Sequence, residues 1–130
     1  MKSFANFIFL LPLLFINTSY AQTLEECNAL ASDSNTQYPS RVDKVTTIKS
    51  LICYLDNKKV VLSYNMIIDT DGGSSINQKA INTLRPSMLN TLCTDPDTIS
   101  LLTTFPIAYK YYFDNGKYIG ELKFSVKECK

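Results

Sequence analysis

The sequence contains no histidine. That absence removes Ser-His and Cys-His dyads and leaves no imidazole to act as acid, base or metal ligand near neutral pH. No CxxC pair occurs either, so the usual ligands of a structural zinc site are missing together and neither metal nor cofactor is called for. There is no basic tract or stripe of the kind that holds nucleic acid or anionic lipid. Thirteen Lys and Arg stand against twelve Asp and Glu, and setting aside Lys2, in the leader, leaves twelve against twelve.

What is present begins with an export signal over residues 1–21. Lys2 supplies the positive end, Phe7 to Ile16 is an apolar run, and Ser19-Tyr20-Ala21 places small residues where signal peptidase reads. The run is short for a bilayer span and Pro12 interrupts it. The expectation is a cleaved signal peptide and a mature chain of residues 22–130, one periplasmic or secreted domain with no stable membrane insertion. The first cysteine is Cys27, so no lipid-bearing cysteine follows the cleavage point.

Four cysteines, Cys27, Cys53, Cys93 and Cys129, then lie in the mature chain. An even number in a small exported domain reads as disulfides. Four allow three pairings, and the sequence does not choose among them. The expectation adopted is Cys27 to Cys53 and Cys93 to Cys129, in which each bridge closes a local loop onto a sheet edge.

Residues 23–31 carry Leu24, Cys27, Leu30 and Ala31 on one helical side, with Thr23 as cap and Glu26 three residues on. Ser32 to Ser40 is polar and reads as a loop. Val45 to Leu55 and Val60 to Ile68 read as strands joined around Asn57 and Lys58, a turn without glycine. Ser75 with Gln78 forms a capping-box pattern before an apolar stripe of Ile76, Ala80, Leu84, Met88 and Leu92. Pro86 falls inside that stripe and predicts a kink or two abutting helices. Asp95 and Pro96 start a further short helix as cap and first residue.

The strongest local signal is Asn115-Gly116, which predicts a type I′ hairpin between Phe105 and Cys129. A two-residue loop pairs Phe113 with Tyr118, Tyr111 with Gly120, Tyr109 with Leu122 and Ile107 with Phe124. The same register puts Tyr112 opposite Ile119, Lys110 opposite Glu121 and Ala108 opposite Lys123 on the other face. Tyr109, Tyr111, Phe113, Tyr118 and Phe124 then form a core face. The summed pattern predicts an α+β fold, an antiparallel sheet of about four strands built from two hairpins, with helices packed on one face.

Tyr38-Pro39, Val42-Asp43-Lys44, Leu84-Arg85-Pro86, Leu92-Cys93-Thr94, Tyr109, Tyr111, Asp114, Gly116 and the terminal Cys129 together resemble small exported, disulfide-bonded proteins of proteobacteria. The resemblance covers nearly all of the mature chain and implies a shared fold. More distantly, a small disulfide-bonded sheet covered by helices is similar to the pilotins that escort type II secretion channel subunits through the periplasm. Pilotins typically carry a lipid anchor, for which this chain has no cysteine at its cleavage point.

Two acidic motifs have plain structural readings. Asp69-Thr70-Asp71-Gly72 starts like a calcium loop, but Ser74 and Ala80 stand where such a loop needs glycine and glutamate. Asp95 and Asp97 lie in a first helical turn, where carboxylates cap. The site candidates that remain are Tyr112, Ile119, Lys110 and Glu121 on the outer hairpin face, with Arg85 at the helix break. The reading is a non-enzymatic binding protein whose partner is another envelope or exported protein. Its alternatives are an inhibitor or immunity protein for an exported hydrolase, and an enzyme of carboxylate mechanism.

Overall fold

The computed structural model describes residues 23–70 and 75–129. The expected signal peptide and the Asp71–Ser74 part of the calcium-like motif lie outside those residues. Helix α1 covers 23–35; strands β1 (Ser40–Arg41), β2 (Thr46–Asp56) and β3 (Lys59–Ile68) follow. Helices α2 (Gln78–Asn82), α3 (Arg85–Thr94) and α4 (Pro96–Thr104) lead to β4 (Ile107–Phe113) and β5 (Tyr118–Phe124). A 3-10 turn over Val126–Glu128 ends the described chain.

The fold is α+β, but the sheet has five strands in the order β1-β2-β3-β4-β5 and is not wholly antiparallel. The two expected hairpins, β2-β3 and β4-β5, are present, and β3 pairs with β4 in parallel, from Leu62 against Ile107 to Ile68 against Phe113. This corrects the two-hairpin antiparallel sheet. Helices α2 to α4 carry the chain back to the starting end of β3, so the next strand runs alongside it. The fifth strand, β1, is two residues long, starts at the last residue of the stretch read as loop, and is too short to show alternation.

Helix α1 also runs past its expected end at Ala31, to residue 35, and Thr23 is already helical rather than its cap. Cys27 is bonded to Cys53 of β2, and Cys93 of α3 to Cys129. The helix break falls at Thr83-Leu84, leaving Pro86 in the first turn of α3, where its missing N–H costs nothing. Helix α2 is capped by Asn77, whose Oδ1 accepts the Ala80 N–H at 3.1 Å, not by a Ser75-Gln78 box. Asp95 caps α4 as expected, accepting the Asp97 N–H at 3.0 Å.

The core lies between one sheet face and the helices. Cys27 and Ala31 of α1 pack on Leu51, Val60, Leu62 and Phe105. Ile81, Leu92 and Leu102 from α2, α3 and α4 pack on Met66, Ile68, Ile107, Tyr111, Leu122 and Phe124. Tyr64 touches both groups and stacks on Tyr109 at 4.8 Å between centroids.

Burial and, secondarily, the neighbouring Asp43 raise the Tyr111 hydroxyl to about 12; burial raises Tyr109 as well. A raised folded value gives stability that is complete below pH ~10, the unfolded tyrosine value, and lost as pH rises through the folded one. At the acid end, the N–H groups of Val45 and Thr46 hold Asp43 low against the cost of burial. For Glu128 burial pushes upward, but the Ser125 N–H and Arg85 together outweigh it and the carboxyl stays low. These carboxylates add stability above about pH 4 that falls away as they protonate. Urea titrations are therefore expected to give a plateau between roughly pH 5.5 and 9, with losses on both sides. A transition near pH 6.5 would contradict this account, because the chain has no histidine to produce one.

Candidate interaction surface

The sheet face away from the helices has no helix over it among the described residues. The β4-β5 hairpin decides which side chains reach it. The loop is Asp114-Asn115-Gly116 rather than a two-residue type I′ turn. Gly116 N–H bonds to the Phe113 carbonyl at 2.9 Å, Phe113 N–H bonds to Lys117 O at 2.8 Å, and Gly116 takes φ +90°. This is a type I turn closed by a left-handed glycine, the common three-residue hairpin. Asn115 keeps a negative φ, and its Oδ1 accepts the Lys117 N–H at 2.9 Å.

The extra loop residue shifts pairing by one, and a bulge at Ile119 shifts it back. Below the bulge the register is the expected one: Tyr111 with Gly120, Lys110 with Glu121, Tyr109 with Leu122, Ala108 with Lys123 and Ile107 with Phe124. Above it, Tyr112 pairs with Tyr118 instead of Ile119. A one-residue slip turns a side chain to the other face. Ile119 accordingly packs against the core, and Tyr118, expected inside, is 52% exposed.

Tyr112 and Tyr118 stand edge to face with centroids 5.4 Å apart. Beside them, Lys49, Ile52, Asn65, Ile67, Tyr112 and Gly116 line a depression of about 320 Å³. Ile52 is 42% exposed. Lys49 reaches this face through a bulge in β2 between Ile48 and Ser50. Lys110 lies directly across from Glu121, as expected, but its ammonium sits 4.4 Å over the Tyr54 ring and forms no ion pair among the described residues. The Glu121 Oε2 is buried without a hydrogen-bond partner. Lys123 pairs instead with Asp56 at the far end of the face.

Arg85 is elsewhere. It pairs with Glu128 and lies 4.7 Å over the Phe124 ring, on the helix side, so the carboxylate it recognises is the chain's own. The acidic motifs are likewise occupied: Asp69 is in an ion pair with Arg41 at 2.6 Å. No group of three or more His, Cys, Asp or Glu able to hold a metal occurs among the described residues, and no described helix is long and apolar enough to cross a membrane.

On each side of the sheet a side-chain amide bonds the outward backbone of one residue. On the β2 edge, Asn35 Oδ1 accepts the Leu51 N–H at 2.7 Å and Asn35 Nδ2 donates to Leu51 O at 3.0 Å. On the β5 edge, Gln78 Oε1 accepts the Glu121 N–H at 2.8 Å and Nε2 donates to Glu121 O at 2.9 Å. Each amide takes the place a neighbouring strand would occupy. Of the strands a partner could extend, β3 is central and paired on both sides, whereas β5 is the outer strand of the sheet. On the open face of the sheet, sequence reasoning placed Tyr112, Lys110 and Glu121 and missed Tyr118, Ile52 and Lys49.

No known protein-family profile matches the chain, and no curated protein matches it. Solved structures do. A Pseudomonas aeruginosa protein classed as secreted superposes with a TM-score of 0.69 at 11% identity, covering 84% of this chain and 94% of its own. The pilotin EpsS of the Vibrio vulnificus type 2 secretion system gives 0.65 at 14% identity, over 85% and 94%. The type II secretion pilotin AspS of Vibrio cholerae gives 0.60 at 14% identity, over 88% and 99%. The chain thus shares its fold with a Pseudomonas protein classed as secreted and with two Vibrio pilotins, and in that sense is distantly pilotin-like.

Proposed function

We propose that this protein is an exported, non-enzymatic accessory of a secretion system that binds an envelope protein, in the manner of a pilotin. The observation that carries the reading is the superposition of 85% and 88% of this chain on two type II secretion pilotins. The surface supports it. An aromatic pair and an exposed isoleucine on a face rimmed by Lys49 and Lys110 has the composition of a recognition patch. The disulfides fit an oxidising compartment outside the cytoplasm.

The inhibitor reading has less support, since the two hairpin turns are two and three residues long and offer no long projecting loop. Catalysis by the Asp95-Asp97 pair has less still, because Asp95 is engaged as a helix cap.

Deleting the gene is expected to leave secretion-channel subunits out of the outer-membrane fraction, and restoring the wild-type protein returns them. Ile52→Lys with Tyr118→Ala is expected to fail in that rescue while melting within about 1 kcal/mol of wild type, as surface substitutions do. An unchanged distribution of channel subunits in the deletion strain overturns the reading.

A further inference from the structure

At one end of the sheet, three lysines with no ion-pair partner among the described residues converge on a single groove. Lys58 is the second residue of the β2-β3 turn, Lys59 opens β3, and Lys127 lies in the 3-10 turn after β5. The groove between them has a volume of about 330 Å³, its floor is Val60, Leu102, Pro106 and Val126, and no carboxylate among the described residues lines it. Val60 and Leu102 are 5% and 2% exposed, so the floor belongs to the rigid core.

A neighbouring depression shares Lys59, Pro106 and Ser125 with this groove, yet it is lined by two carboxylates, Asp56 and Glu128, as well as by Lys59 and Lys123. There Lys123 pairs with Asp56, and Glu128 with Arg85. The described ion pairs use Arg41, Arg85 and Lys123, and of the eight described lysines outside them, Lys58, Lys59 and Lys127 are the three that line this groove. In a chain of formal net charge +1, this is a local excess of one sign beside an apolar floor. The volume is at the low end of the roughly 300–1,000 Å³ range of binding pockets, with room for one or two aliphatic side chains.

We propose that this groove seats an acidic, apolar-anchored peptide segment of a partner protein. Its aliphatic side chains rest on Val60 and Leu102, and its carboxylates lie between Lys58, Lys59 and Lys127. The chemistry follows from the lining: burial of the anchor supplies affinity, and the lysine rim supplies orientation, on-rate and salt dependence. The inference rests on the preceding reading only in taking the partner to be a protein.

The probe is a short fluorescein-labelled peptide with two leucines flanked by glutamates, and the control keeps the leucines with lysine flanks. With the mature, disulfide-bonded protein, anisotropy is expected to show binding of the acidic peptide alone. Binding weakens at least about tenfold when NaCl rises from about 0.05 to 0.5 M, where screening shortens the reach of the lysines. Lys58→Glu, Lys59→Glu and Lys127→Glu together are expected to weaken it by a similar factor, with folding checked by an unchanged melt. Amide shifts on titration are expected at Val60, Leu102 and Lys127. Equal binding of both peptides, shifts centred on Tyr112 and Tyr118, or binding to phosphatidylglycerol vesicles with none to the acidic peptide would each overturn the inference.

These outcomes are separable from the escort reading. If channel subunits stay correctly placed in the deletion strain while the acidic peptide binds this groove, the escort reading fails and the groove stands. If the subunits are misplaced and the acidic peptide does not bind, the groove fails and the escort reading stands.

Discussion

Reducing both disulfides is expected to unfold this domain or bring it to the edge of unfolding at room temperature. Cys27–Cys53 and Cys93–Cys129 close loops with sequence separations of 26 and 36. In the chain-entropy account, loops of that size are each worth about 3.5 kcal/mol, so the pair contributes about 7 kcal/mol. A domain of this size has a total stability of roughly 5–15 kcal/mol. The two bridges also act on different parts of the core. Cys27 sits at the centre of the contact between α1 and β2, while Cys93–Cys129 holds the segment after β5 against α3. Cys27→Ala with Cys53→Ala is therefore expected to loosen α1 before α2 to α4. Each double variant should lower the melting temperature by about 15–25 °C, at 4–8 °C per kcal/mol for a domain near 100 residues. Circular dichroism melts with and without a phosphine reductant measure this directly. A shift under about 5 °C, with full reduction verified by thiol titration, would show that packing alone holds the fold.

The second large effect concerns the two edge amides. Gln78→Ala removes both amide bonds to Glu121, and Asn35→Ala removes both to Leu51. At about 0.5–1.5 kcal/mol per bond, each substitution costs roughly 1–3 kcal/mol. The larger consequence is association, because each change exposes an unpaired strand edge to a second chain. The double variant is expected to run as concentration-dependent dimers or larger species in sedimentation velocity, where wild type stays monomeric.

Gly120 gives an independent route to the same state. A Cβ built there collides with Gln78 Oε1 and lies 3.2 Å from Gln78 Cα, so Gly120→Ala expels the amide without touching Gln78 itself. Gln78→Glu separates the hydrogen-bond pattern from bulk, since a carboxylate keeps the acceptor and loses the donor. Monomeric behaviour of both the double variant and Gly120→Ala at high concentration would mean that the amides are not what keeps the edges apart.

How much of this was legible depended on how local each determinant is. The β4-β5 register from Ile107 to Tyr111 follows from alternation alone, because a slip would bury Lys110 and expose Phe124. The turn above it was not legible, since Asn-Gly fits both a type I′ turn and a type I turn with a left-handed glycine. The choice moved Tyr118 outward and Ile119 inward, the largest change to the site. Conversely Asn57-Lys58, which has no glycine, takes φ of 50° and 65° and makes the two-residue turn itself.

The parallel β3-β4 pairing and the two amide clamps were hidden for another reason. Their determinants are tertiary: Asn35 and Leu51 are 16 residues apart, and Gln78 and Glu121 are 43. Gln78 shows the competition plainly. Its position after Ser75 matches a capping box, but its amide goes to the strand edge and Asn77 takes the cap.

The central claim, that this fold serves to bind an envelope protein, is tested most directly by affinity capture of the tagged mature protein from the native cell envelope in mild detergent and low salt, with bound chains identified by mass spectrometry. A secretion-channel subunit captured in stoichiometric amount by wild type, and lost with Ile52→Lys and Tyr118→Ala, is the expected result. Capture of an exported hydrolase in its place, or reproducible absence of any partner, would contradict it.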